Sequence, residues 1–180
     1  MNKSKTLFAA IAMLFLMAPA FSFGQDAKNE DTPKETPISY AFITEYGPFM
    51  GGTAGFTGIF VNGIRIKTQN VVGIGVGYEY DTDDIQSIPL FANFRHYFPS
   101  KRTLKPLVNV AIGTRFSFGD RYYGNYYGSY RVQMREFGLY STIAAGFKVK
   151  VFSFTSGFFF KSYGTDKFFG GVEIKAGITL

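Results

Sequence analysis

Residues 71–80 (VVGIGVGYEY) alternate with a period of two. Val72, Ile74, Val76, Tyr78 and Tyr80 fall on one face, and Val71, Gly73, Gly75, Gly77 and Glu79 on the other. That period places successive side chains on opposite sides of a β-strand. The pattern recurs. Val108, Val110, Ile112, Phe116 and Phe118 oppose Asn109, Ala111, Gly113, Arg115 and Ser117, and Val172, Ile174, Ala176, Ile178 and Leu180 oppose Gly171, Glu173, Lys175, Gly177 and Thr179. Leu90, Ala92 and Phe94 oppose Asn93 and Arg95, and Leu139, Ile143 and Phe147 oppose Glu136, Gly138, Thr142 and Lys148. Two segments fit less cleanly: Phe158, Phe159 and Phe160 run together, and Asn62 falls on an otherwise apolar face. The spacing predicts eight strands, over 38–48, 54–66, 70–80, 86–98, 105–118, 134–149, 152–163 and 167–180. Eight is even, as a closed antiparallel barrel with both ends on one side requires. Each segment reaches the roughly 9–11 residues that a tilted strand needs to cross a bilayer.

Energetics assign the faces. A Lys or Arg facing lipid near mid-membrane costs about 2–4 kcal/mol. Arg115 and Lys175 sit well inside their strands, and a one-residue slip would turn both outward. The polar, glycine-rich face is therefore expected to be the lumen. An eight-stranded barrel has an interior just wide enough for side chains to fill. The expected structural network comprises Arg95, Arg115, Glu136, Lys148, Lys161, Glu173 and Lys175, with glycines making room for Arg95, Arg115 and Tyr140. A packed interior is expected rather than an open pore.

Composition supports an exported chain. Lys3 and Lys5 precede an apolar run from Leu7 to Met17, and small residues near Ala18–Ala20 or Ser22–Gly24 offer a cleavage site. Residues 1–24 read as a signal peptide, because the run is shorter than the roughly 20 residues of a spanning helix. Residues 25–37 (QDAKNEDTPKETP) read as a polar tether, and 38–180 as one barrel domain. The chain contains no cysteine, so stability comes from packing or barrel closure rather than disulfides. Without Lys3 and Lys5, 17 basic residues face 13 acidic ones. An exported chain with that modest excess and no long basic run is not expected to bind nucleic acid.

The strand IPLFANFRHYF at 88–98, the alternating VVGIGVGYEY at 71–80 and the terminal GGVEIKAGITL at 170–180 resemble the small outer-membrane β-barrel proteins of Gram-negative bacteria. The style is that of the Bacteroidetes barrel-domain proteins, and more distantly the OmpA class. The resemblance covers 38–180. It implies an all-β, eight-stranded up-and-down transmembrane barrel in the outer membrane. It further implies outer-membrane lipid and the barrel-assembly machinery as partners, and a monomer. Such proteins commonly end in an aromatic residue, whereas this chain ends in Leu180.

Chemistry-bearing motifs are few. His96 is the only histidine, and no acid or nucleophile stands at a fixed spacing from it, so an interfacial aromatic is expected instead of a catalytic group. With no cysteine, a zinc site is not expected. Glu79, Asp81, Asp83 and Asp84 cluster before strand four. An EF-hand starting at Asp81 would need glycine where Gln86 stands, so the cluster reads as a solvated acidic turn. The glycines of GIGVG form no phosphate loop, because no helix follows. Connection five, 119–133, holds Tyr122, Tyr123, Tyr126, Tyr127 and Tyr130. It is either a surface for recognising an extracellular ligand or a hairpin that extends the barrel wall. No cofactor and no catalytic role are expected. The alternatives are a small outer-membrane enzyme, a narrow pore, and a soluble lipocalin-like barrel, the last of which would need large apolar residues turned inward.

Overall fold

A computed structural model describes residues 38–180, apart from 101, 126–127 and 166, and for 120–125, 128–132 and 134 it describes the backbone only. The leader and the tether lie outside the described residues. Eight antiparallel strands follow in chain order: β1 (Ile38–Gly51), β2 (Ala54–Ile66), β3 (Asn70–Asp81), β4 (Ile85–Tyr97), β5 (Leu104–Asn125), β6 (Gly128–Val149), β7 (Phe152–Tyr163) and β8 (Lys167–Thr179). Each pairs with its sequence neighbour, and β8 returns to β1 to close the barrel. Closure leaves no row of unpaired backbone groups along the wall, the condition for a sheet to stand in lipid.

The exterior is apolar and graded. Ile74 (68% exposed), Ile112, Ile143 and Ile174 form an aliphatic band around the middle. Phe56, Tyr80, Phe137, Phe160 and Phe168 ring it at one end, and Tyr40, Phe98, Phe147, Phe152 and Phe154 at the end that carries Ile38 and Leu180. An apolar band between two aromatic girdles is the exterior that a bilayer selects. Alternation also holds through the phenylalanine run, with Phe158 and Phe160 outside and Phe159 inside. Asn62 does lie on the outer face, where its Oδ1 accepts from the Tyr40 hydroxyl at 2.5 Å.

The lumen is less uniformly polar than the alternation predicts. Ala41, Ile43, Ile59, Val61, Val71, Phe91, Leu107 and Tyr140 belong to one buried apolar cluster inside it. The reason is space-filling: a narrow barrel must be packed with side chains, and one row shows how. Gly75, Phe91, Gly113, Tyr140 and Lys161 follow one another in register across β3 to β7. A Cβ on Gly75 would meet the Phe91 ring at 2.3 Å, and one on Gly113 would meet the Phe91 backbone at 2.5 Å. The Phe91 and Tyr140 rings then lie 4.9 Å apart over those gaps. Small and large residues alternate from Gly75 to Tyr140, as interdigitation inside a small barrel demands.

Pro48 and Pro89 fall where a ladder is broken. The β1–β8 register passes from Tyr46↔Ala176 to Phe49↔Glu173, skipping Pro48. The β3–β4 register passes from Val76↔Leu90 to Glu79↔Ser87, skipping Pro89. Proline has no N–H to give to a ladder.

The connections β2–β3, β4–β5 and β6–β7 lie at the end bearing Ile38 and Leu180, and β1–β2, β3–β4, β5–β6 and β7–β8 connect at the opposite end. The stretch 119–133 is not an open loop. Its backbone pairs from Gly119↔Met134 to Asn125↔Gly128, so β5 and β6 continue as a two-stranded ribbon. Register with β4 stops at Ile85↔Gly119 and with β7 at Tyr140↔Lys161. The six β5 residues beyond Gly119 carry the ribbon about 20 Å past the end of β4, at ~3.4 Å per residue.

Candidate functional site

The polar lumen is the candidate site, and it is built in levels. Toward the terminal end, Arg95 of β4 donates through Nη1 and Nη2 to the two carboxylate oxygens of Glu45 of β1, both at 2.9 Å. Ser153 donates to Glu45 Oε1 at 3.1 Å. Arg95 Nε and Asn93 Nδ2 both donate to Asn109 Oδ1, at 3.2 and 2.8 Å. Arg95 and Glu45 are completely buried. A paired, bidentate geometry is what lets two such charges persist away from water.

Toward the other end, Glu79 of β3 holds two cations. Lys161 Nζ lies 2.5 Å from its Oε1, and Arg115 Nη2 lies 3.4 Å from its Oε2. Arg115 also donates to Ser87 Oγ at 2.5 Å, and Ser87 shares a hydrogen bond with Ser117 at 2.9 Å. Aromatic faces complete the shell. The Arg115 guanidinium stands 4.7 Å from the Tyr163 ring centre, and Lys161 Nζ lies 4.3 Å from that of Phe159 and 4.4 Å from that of Phe49. Desolvated cations over ring faces gain attraction from the ring quadrupole. On β8, Lys175 Nζ reaches Glu173 Oε1 at 2.5 Å.

Among the described residues, the lumen thus sets four buried cations (Arg95, Arg115, Lys161 and Lys175) against four buried carboxylates (Glu45, Glu79, Asp81 and Glu173). The charge is balanced, and packed rings lie between the levels. The arrangement braces a narrow wall. Among the described residues, no group of three or more metal-ligating side chains gathers.

The seven residues proposed for the network are distributed unevenly. Arg95, Arg115, Lys161, Glu173 and Lys175 lie in these buried pairs. Glu136 is half-buried at the end remote from the termini, outside the pairs. Lys148 is half-buried at the terminal end, its ammonium 5.6 Å from the Tyr97 ring centre. The acidic-turn reading needs correction. Glu79 and Asp81 face inward and are buried, while only Asp83 and Asp84 are exposed. Asp81 caps the β3–β4 turn, accepting from the Asp83 and Ile85 amides at 3.0 Å each, and it accepts from the Tyr163 hydroxyl. Glu79 was legible from parity, since it shares a face with Gly73, Gly75 and Gly77. Glu45, the anchor of the deeper level, gave a weaker signal because its face of β1 also carries Ile43 and Phe49.

His96 sits on the exterior near the terminal end. Its Nδ1 lies 2.7 Å from Asn70 Oδ1 and its ring packs edge-on to Phe98 at 4.8 Å. The side chains of Tyr122, Tyr123 and Tyr130, and the whole of Tyr126 and Tyr127, lie outside the described residues.

Among solved structures, the chain is similar to Neisserial surface protein A (14% identity, TM-score 0.56, 79% of this chain and 97% of that one). The chain has the fold of the small outer-membrane β-barrels. It is likewise similar to the outer membrane enzyme PagL (17% identity, TM-score 0.52, 76% and 98%) and to a major outer membrane protein of Thermus thermophilus (12% identity, TM-score 0.51, 79% and 100%). No family model matches the chain, and no curated protein matches its sequence. In this chain's barrel the apolar side chains turn outward and the paired charges face the axis.

Proposed function

We propose that this protein is an integral outer-membrane barrel with a packed lumen and no catalytic role, and that the β5–β6 ribbon is its contact element on the cell surface. One observation carries the reading: the exterior is greasy and ringed with aromatics, while every fully buried cation is held inside by a carboxylate. No water-soluble protein gains by that inversion. The ribbon favours a surface role because its backbone leaves the wall beyond Gly119 and its sequence is rich in tyrosine, whose rigid amphipathic ring makes contact area at low entropy cost. An enzyme reading finds less support, since His96 is engaged by Asn70 on the outer wall rather than by an acid.

Cell fractionation with protease treatment of intact cells tests this. The protein should appear in the outer-membrane fraction, migrate faster unheated than boiled, and be cleaved within 119–133 from outside. Recovery in the soluble periplasmic fraction refutes the membrane assignment. Membrane recovery with full protection of 119–133 refutes the surface role.

A further inference from the structure

Among the described residues, each fully buried lumen cation faces a carboxylate, whereas the cations at the terminal mouth do not. There a cavity of about 390 Å³ is lined by Arg65, Tyr97, Lys105, Lys148 and Lys150, with Thr68 and Thr103 at its edge. None of its lining residues is acidic. The cations converge from separate elements: Arg65 from β2, Lys105 from β5, Lys148 from β6 and Lys150 from the turn that follows. Lys105 and Lys148 are direct cross-strand partners, and like charges so placed destabilise a sheet. Arg65 Nη2 is partly engaged, donating to the Leu180 main-chain oxygen at 3.1 Å. A second observation points into the same cavity. Tyr97 is 4% exposed, and its hydroxyl stands beside the Arg95 guanidinium, which can only donate to it, so its own O–H finds no acceptor. A buried O–H donor without an acceptor is costly.

We infer that this mouth is a binding site for a phosphate group. A tetrahedral oxyanion of two negative charges would answer both anomalies. It would separate the opposed lysine ammoniums and accept from Tyr97, while guanidinium and threonine donors approach from other sides. A single carboxylate has too few acceptor directions for donors converging from four strands and a turn. The volume suits one or two phosphate groups at the low end of ordinary ligand pockets, which run from ~300 Å³. Two sources share this chemistry: a soluble phosphate compound, or the headgroup of an anionic phospholipid in the leaflet that borders this mouth.

The test uses the barrel refolded in maltoside micelles and titrated calorimetrically with inorganic pyrophosphate. Wild-type protein should bind, and Lys105→Gln/Lys148→Gln should weaken binding at least tenfold. Lys167→Gln, an exposed charge at the far end of the barrel, should match wild type. The double variant should also keep its heat-modifiable migration and unfold in urea at or above the wild-type midpoint, because repulsion has been removed. A purely structural role for the lysines predicts a fall instead. Adding phosphatidylglycerol to the micelles separates the sources: displacement of pyrophosphate assigns the headgroup, and no displacement assigns the soluble compound. No pyrophosphate binding, equal loss in Lys167→Gln, or equal competition by acetate overturns the inference.

Discussion

Replacing Arg95 by methionine tests whether the lumen is dry. The substitution keeps the stem and removes the guanidinium, so Glu45 loses two 2.9 Å charge-assisted bonds and keeps only Ser153 at 3.1 Å. Glu45 is at 0% exposure, so no water replaces them. Stranding one member of a buried ion pair costs about 3–5 kcal/mol. With a denaturant slope of about 2 kcal/mol per molar urea, the unfolding midpoint should fall by about 2 M. The measurement is a urea series in detergent, read by the fraction that keeps its fast unheated mobility. Glu45→Gln/Arg95→Met should recover much of the loss, because exchanging a whole buried pair for neutral groups is often close to neutral. A midpoint shift under about 0.5 M for Arg95→Met, or a double variant as unstable as the two single losses summed, would mean that water reaches the pair and that the bracing argument is wrong.

Three further outcomes follow from the packing. Ile74→Lys, at a position 68% exposed on the outer wall, should cost about 2–4 kcal/mol in lipid, measured by reversible urea unfolding in vesicles; an unchanged midpoint would place that wall in water. Gly75→Leu should destabilise by about 1–3 kcal/mol or more through overpacking, since its Cβ would sit 2.3 Å from the Phe91 ring, and Gly75→Leu/Phe91→Ala should recover part of that in the same assay. In planar bilayers the wild-type barrel should show negligible conductance, because ion pairs and the Phe91–Tyr140 stack fill the axis; steady open channels would refute the packed lumen.

Parity along the strands carried most of the fold. Ile74, Val110 and Ile174 turn outward and Arg115 and Lys175 inward because a two-residue period admits only two assignments, and hydrocarbon forbids one of them. Strand partners of Arg95 and Lys161 were not legible in the same way. Glu45 lies 50 residues from Arg95 and Glu79 lies 82 from Lys161, and alternation reports a face without reporting height in the barrel or the neighbour across the axis. The hairpin alternative for 119–133 is the one the backbone bears out, though the sequence left it open. GDRYYGNYYGSYRVQ carries glycine and polar signals that mark loops, while its tyrosines are also good strand formers. Tertiary continuation from paired strands below decided between them. The basic mouth was hidden because Arg65, Lys105 and Lys148 belong to three strands and meet only once the cylinder closes.

Pro48 gives one further consequence. Its twin at Pro89 interrupts a hairpin whose two arms are tethered by a short turn, so that gap re-forms locally. Pro48 interrupts the join between the first arm and the last, which cannot meet until every intervening segment has crossed. The final stitch of assembly therefore lacks a donor where it is needed. Of all the joins around the wall this one carries the fewest paired residues, so parting it breaks the fewest ladder bonds.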